Sequence, residues 1–336
     1  MTITDSPPSG EAPPGPRGRV VRRRASGDTE RGFSRIFRWI ATGAGALILA
    51  VLAAVALFLI ARGWPAITAT PAELADSVPR YPDDTSLVAY VGPLVFGTLL
   101  AAVLALLLAT PVGMGIALFI SHYAPRRLAQ GLGYLVDLLA AIPSVIYGLW
   151  GFLVLAPVLK PVWFWLGENA SWFPLFAGKV SATGKSIATV AVVLAVMVLP
   201  IITAVSREVF LQTPKLHEEA ALALGATRWE MVRTAVLPFG RSGVISAAML
   251  GLGRALGETM AVLMILSPGF TYSLHLLEAG NHQTIAAYIA NDFPEASGLA
   301  VNTLIATGLA LFVITLAVNM LARWIVARRK EFSGAN

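Results

Sequence analysis

The chain has 336 residues, 56% of them hydrophobic and only 13% charged, with a mean hydropathy of +0.71 and a net charge of +6. That composition excludes an ordinary water-soluble domain, which carries far more charge for its apolar content. The absence of cysteine excludes disulfides, thiolate metal sites and cysteine nucleophiles, and the four histidines (His122, His217, His275 and His282) have no ligand-like spacing.

Residues 1–38 are rich in Pro, Gly, Ser and Arg and have too little apolar content to bury a core, which predicts a disordered, basic cytoplasmic tail. The apolar run that follows is of spanning length, so the tail is not a cleavable signal. Six runs reach the roughly 20 residues that a bilayer crossing needs: 39–61, 92–121, 132–155, 187–205, 243–266 and 301–325. The fold class they predict is all-α, a polytopic bundle of six transmembrane spans. Residues 39–61 form a separate N-terminal helix, and residues 92–326 form the main transmembrane domain. Nineteen of the 25 Lys and Arg residues fall in the tail, in the loops after the second and fourth spans, and at the C-terminal end. The alternate loops hold only Arg62, Arg80, Lys160, Lys179 and Lys185. The positive-inside rule then places both termini and residues 213–238 in the cytoplasm. The basic charge therefore sets topology and needs no nucleic acid partner; the surrounding partner is membrane lipid.

Two outer loops carry further signals. Residues 160–186 hold Trp163, Phe164, Trp165, Trp172 and Phe173, suited to the bilayer interface or to a protein outside it. The sequence GKVSATGKS at 178–186 imitates a phosphate-binding loop, but it has five residues between its glycines and follows no strand. Pro111, Pro143 and Pro200 interrupt three spans, and each is expected to bend its helix and free the carbonyl four residues earlier. Around Pro143, the polar side chains of Ser144 and Tyr147 lie at membrane depth, which makes this stretch a candidate lining of a pathway.

Residues 213–238, TPKLHEEAALALGATRWEMVRTAVLP, are the one long polar run with helical signals. Thr213 is expected to cap a first helix with Pro214 at its first position. Leu216, Ala220, Ala223 and Leu224 form one apolar stripe. Gly225 supplies a left-handed turn, Thr227 and Glu230 a capping box for a second helix, and Pro238 its stop. The pair suits docking to a partner, an interfacial amphipathic loop, or a helix-turn-helix; the short, membrane-anchored second helix weighs against the last.

The sharpest chemical signal is Gly253-Arg-Ala-Leu-Gly-Glu-Thr259 in the fifth span. An isolated arginine near the bilayer centre costs roughly 2.5–3.5 kcal/mol on insertion scales. Glu258, four residues on, would share its helix face, with Ala247, Gly251, Gly257 and Ala261 leaving room beside them. Two readings stay open. Arg254 and Glu258 could be a structural ion pair, or Arg254 could offer charge and N–H donors to an anion, phosphate being the best geometric match, while Glu258 holds it in place. With Thr259, Pro143, Ser144 and Tyr147 they form the candidate substrate pathway. No hydrolytic triad, metal cluster or genuine phosphate loop is visible, so no enzymatic chemistry is read on this chain, energy must come from elsewhere, and the hairpin is the obvious docking element for a motor.

At these residues a family resemblance appears. Glu219-Ala220-Ala221, Gly225 and the later Leu237-Pro238 resemble the EAA loop of ABC importer permeases. AAIPSVIYGLWG at 140–151 and GLGRALGETMAV at 251–262 resemble the phosphate-specific (Pst) importer permeases, and the long N-terminal span with LVLAPVLKP at 153–161 favours the PstC type over the PstA type. The resemblance implies a MetI-like core of five helices with one extra N-terminal helix, and it implies that Glu219, Ala220, Ala221, Gly225, Leu237 and Pro238 couple to an ATPase. It implies a role for Arg254 and Glu258 in phosphate passage. It also implies three partners: a PstA-type permease, a PstB-type ATPase dimer that holds the ATP and Mg, and an extracytoplasmic PstS-type phosphate-binding protein. No cofactor is expected on this chain itself. A permease for another oxyanion, such as sulfate or molybdate, and a non-transporting membrane scaffold are the alternatives.

Overall fold

A computed structural model describes residues 27–330, with side chains described from 37 to 324. The first 26 residues of the expected tail lie outside the described residues. The chain divides into two units, Met1–Val55 and Ala56–Asn336. In the first, the described residues are helical from Gly27 onward, so the last part of the stretch expected in the tail belongs to helix α1 (Gly27–Thr68).

The second unit holds the end of α1 and then α2 (Pro71–Ser77), α3 (Leu87–Leu118), α4 (Arg126–Ala140), α5 (Ser144–Trp150) and α6 (Ala156–Asn169). There follow α7 (Ile187–Leu211), α8 (Lys215–Ala223), α9 (Arg228–Met231), α10 (Leu237–Leu256), α11 (Met260–Ile265), α12 (Ile285–Asp292) and α13 (Leu299–Lys330). Six helical runs are long and apolar enough to cross a membrane, and among the described residues there is no strand.

The core is built around α7, whose sequence is apolar on nearly all sides, the pattern of a helix enclosed by others. Its largest partner is α3, which offers Ala101, Ala105 and Ala109 at four-residue spacing, all buried. Small residues at that spacing let two backbones approach, the commonest device for helix contact in lipid. Gly113 continues the row. A Cβ there would lie 3.0 Å from Ile202, and its carbonyl accepts from Thr203 Oγ1 at 3.4 Å. Pro111 and Pro200 sit inside α3 and α7, as expected. Towards one end of α3, Tyr81, Tyr90, Phe270 and Tyr288 form an aromatic cluster in which the Tyr90 and Tyr288 hydroxyls lie 3.0 Å apart. Towards its other end, Ala117, Leu118, Phe210, Met231, Val232 and Val236 pack together at the root of the α8–α9 hairpin.

Two spans differ from the expected ones. Residues 132–155 are not one crossing: α4 is an amphipathic helix packed on α7, the chain breaks at 141–143, and a new run extends from Ser144 to Asn169. Pro143 is therefore not a bend within a helix; with ψ at 140° it flanks the start of α5. The reason lies in α4, where Arg126, Arg127, Gln130 and Asp137 leave one face too polar for lipid. Similarly, residues 243–266 are not continuous. The run extends from Arg228 to Leu256 and stops at Gly257.

Pro238 does not end the second hairpin helix. Residues Val232–Val236 form a π turn in which the Leu237 N–H bonds to the Val232 carbonyl five residues back. The ladder thus restarts with Pro238 in its first turn, where no N–H is required. Thr213 does not cap α8 either. Pro214 flanks the helix start with ψ at 124°, and the Thr213 hydroxyl is buried without a hydrogen-bond partner. The Gly225 turn and the Thr227–Glu230 capping box are as expected. Gly225 has φ +85°. Thr227 N donates to Glu230 Oε2 at 2.8 Å while Glu230 N donates to Thr227 Oγ1 at 3.3 Å.

Close backbone contact makes a stability test possible. A Cβ at Gly97 would collide with the backbone carbonyl of Gln283, an atom that cannot swing aside. Gly97→Ala should lower stability by about 1–3 kcal/mol, the usual range for overpacking. Gly115→Ala, which meets open space, should not. Thermal unfolding of the two purified variants checks this, and equal Tm values would contradict the contact.

Candidate functional site

The two helix breaks lie side by side. Gly148 of α5 is the reason: a Cβ there would approach Ala261 Cα of α11 to 2.7 Å and Met264 Sδ to 3.1 Å, so only glycine admits this contact. Each break leaves backbone groups that lipid cannot satisfy. At the first, the Tyr147 hydroxyl donates to the Leu139 carbonyl at 2.9 Å, the group whose helical partner Pro143 cannot supply. At the second, Glu258 Oε1 accepts from the Ala261 N–H at 3.1 Å and so caps the first turn of α11.

Arg254 occupies the last turn of α10, where a cation is favoured by the helix dipole. It is half-buried, and its Nε is fully buried without a hydrogen-bond partner. Ser144 begins α5 and is half-buried, while Pro143 is exposed at the break. Thr259 is half-buried and donates to the Gly257 carbonyl at 3.3 Å. All six expected pathway residues thus border one or other of the two breaks.

One expected relation is corrected. Glu258 is not on the helix face of Arg254, because α10 ends at Leu256 and Glu258 stands in the non-helical turn beyond it. Among the described residues the ion pairs are Arg80–Asp292, His122–Glu218 and His275–Glu278, so none joins Arg254 to Glu258. The helical ladder stops at Leu256, and Glu258, 8% exposed, turns to the Ala261 amide of α11. Sequence reasoning missed that capping role.

The α8–α9 hairpin lies at one end of the bundle and divides its residues between two tasks. Ala221 and Leu237 pack into the apolar cluster at its root, whereas Glu219, Ala220, Gly225 and Pro238 are exposed. The turn is closed by Ala226 N to Ala221 O at 3.2 Å and Gly225 N to Leu222 O at 3.0 Å, the paired bonds of a Schellman end. Outside it, Leu216 is 74% and Leu224 90% exposed, an apolar surface that nothing in this chain covers among the described residues. His122, in the π turn after α3, anchors the hairpin through Glu218 at 3.5 Å.

Discontinuous helices meeting around a buried cation, with an exposed hairpin at one end, define a membrane permease. Residues 109–331 match the family described as binding-protein-dependent transport system inner membrane component, and the chain belongs to that family. It is 49% identical over 295 residues to the phosphate transport system permease protein PstC 2 of Mycobacterium tuberculosis, covering 87% of this chain and 91% of that one. It is 38% identical over 325 residues to the PstC of Mesorhizobium japonicum, covering 95% and 96%. In fold it is similar to a bacterial ABC transporter involved in the import of the acidic polysaccharide alginate, with a TM-score of 0.54 at 16% identity over 89% of this chain and 99% of that one. It is also similar to the MetNI methionine ABC transporter in an inward-facing conformation, with a TM-score of 0.52 at 15% identity over 70% and 96%. The expected MetI-like, all-helical architecture is the observed one.

The Tyr147 bond can be tested apart from transport. Tyr147→Phe leaves the Leu139 carbonyl with the weaker bonds of the helix end, such as that from Ile142 N at 3.3 Å, and stability should fall by about 1–3 kcal/mol. Thermal unfolding of Tyr147→Phe beside wild type checks it, and an unchanged Tm would remove the tyrosine from the break.

Proposed function

We propose that this chain is the transmembrane subunit of an ATP-driven phosphate importer, passing inorganic phosphate across the plasma membrane into the cytoplasm. The observation that carries the reading is the buried, unpartnered Nε of Arg254 at the meeting of two helix breaks. The names of the relatives support phosphate as the anion, and the family description supports delivery by a separate binding protein. The Lys and Arg asymmetry supports cytoplasmic termini and a cytoplasmic hairpin.

In this reading Arg254 offers a fixed guanidinium in a low-dielectric setting, where charge-assisted bonds to an oxyanion are strong. Glu258, four residues on, is held by the Ala261 amide of α11 and so leaves the guanidinium without a fixed carboxylate partner. Tyr147, Ser144, Thr259 and the Pro143 turn line the passage. A PstA-type permease completes the pathway, and a PstS-type protein delivers phosphate from outside. A PstB-type ATPase dimer holds the ATP and Mg and docks on Glu219, Ala220, Gly225 and the exposed leucines of the hairpin. ATP-driven closure of the ATPases moves the hairpin, and access to Arg254 alternates between the two sides.

Arg254→Ala in the reconstituted transporter should reduce uptake of labelled phosphate at least tenfold, since a charged hydrogen bond contributes roughly 1.5–3 kcal/mol. Assembly and ATP hydrolysis should survive. Normal uptake would return Arg254 to a packing role, and equal competition by sulfate would favour a general oxyanion permease. Gly225→Pro cannot adopt φ +85° and loses the bond from its N–H to Leu222. It should leave the bundle folded but separate hydrolysis from transport; uptake and hydrolysis that stay coupled in this variant would refute the docking role.

A further inference from the structure

A second charged site lies between α4 and the end of α7, and none of the pathway residues belongs to it. A cavity of about 450 Å³ opens there, with Arg126, Gln130, Tyr134 and Asp137 on one side and Arg207 on the other. Its volume falls within the usual range of small-ligand sites. Arg207 reaches it because α4 has a glycine at the crossing: a Cβ at Gly133 would collide with Nη1 of Arg207. The Nε of Arg207 is fully buried and has no hydrogen-bond partner. Asp137 shares the cavity, yet among the described residues no ion pair joins it to Arg207 or Arg126.

Two guanidiniums therefore face one carboxylate in a partly enclosed space, with the Gln130 amide and the Tyr134 hydroxyl as neutral donors beside them. Arg207 is half-buried with its Nε shut off from water, and such a cation is costly to leave unpaired, a cost that a counter-anion offsets; Arg126 stands exposed at the mouth of the cavity. Guanidinium groups match the planar faces and several oxygens of a phosphoryl group better than a single point acceptor. Arg126 follows the second span and Arg207 ends the fourth, so both stand where two crossings leave the membrane on one side. We infer that this cavity is a binding site for a phosphoryl oxyanion, supplied either by the headgroup of an anionic lipid or by free inorganic phosphate. Its assignment to the inner leaflet rests on the orientation proposed above; the site itself does not.

The test uses the full chain in phosphatidylcholine nanodiscs, with the rate of phenylglyoxal modification read at each arginine by peptide mass spectrometry. One arm adds inorganic phosphate, a second replaces part of the lipid with phosphatidylglycerol, and a third adds chloride at matched ionic strength. Modification of Arg207 should slow about tenfold when the effective probe concentration is ten times its Kd. Protection by phosphate identifies a diffusible anion, and protection by phosphatidylglycerol alone identifies a headgroup. Asp137→Asn, which removes the opposing charge, should strengthen protection several-fold. Gly133→Leu, which fills the notch while keeping both arginines, should abolish it. The inference is overturned if neither probe protects Arg207, if chloride protects equally, or if Asp137→Asn weakens protection. Arg254 is read in the same digest, so loss of protection there alone bears on the transport reading and not on this one.

Discussion

The structure depends on one constraint, that every backbone group at membrane depth must find a partner within the protein. Straight helices meet it without help. This chain instead interrupts two of its helical runs, at 141–143 and 257–259, and each interruption has its own side-chain remedy. Tyr147 returns to the Leu139 carbonyl and Glu258 turns to the Ala261 amide. The two remedies lie together because Gly148 lets α5 and α11 touch at backbone distance. A polar region inside an apolar bundle is thereby built with its exposed backbone largely accounted for.

The hairpin is connected to that region by continuous structure. From Arg228 the helical run extends without a break to Leu256, through the π turn before Pro238. At 1.5 Å per residue its 29 residues span about 43 Å. Arg254 stands two residues before its end. In the proposed reading, a displacement of α8 and α9, whose root is packed and whose Leu216 and Leu224 are exposed, would be carried along this run towards Arg254. His122 and Glu218 add a second tie, from the hairpin to the end of α3.

Much of this was legible in the sequence. Length and apolarity fix the number of spans, and the Gly225 turn and the Thr227–Glu230 box follow from local chemistry that acts within four residues. The motif residues near Arg254 are legible for the same reason. What the sequence concealed depends on where helices stop when apolarity continues. Residues 243–266 read as one hydrophobic run, yet the ladder ends at Gly257, and residues 132–155 join an amphipathic helix to the start of a spanning one. Hydropathy averages over such boundaries. The error mattered most for Glu258, since a helical i, i+4 relation and a turn place its carboxylate against different partners. Contacts between distant segments, such as Gly148 with Ala261 or Gly133 with Arg207, leave no local trace beyond the glycine itself.

The placement of charge now has a consistent logic. Arg80–Asp292 and His275–Glu278 are paired outside the spanning runs, and His122–Glu218 is paired at the hairpin, where the pairs hold loops and turns in place. Arg254 and Arg207 differ: each has a buried Nε without a partner, although a carboxylate stands nearby in sequence or lines the same cavity. A cation neutralised by a fixed carboxylate offers little to a passing anion, because the anion would have to displace a partner that never leaves. Keeping Glu258 occupied with α11 avoids that competition at Arg254. The break at Gly257 thus does more than interrupt a helix: it separates two opposite charges that a continuous helix would have brought onto one face.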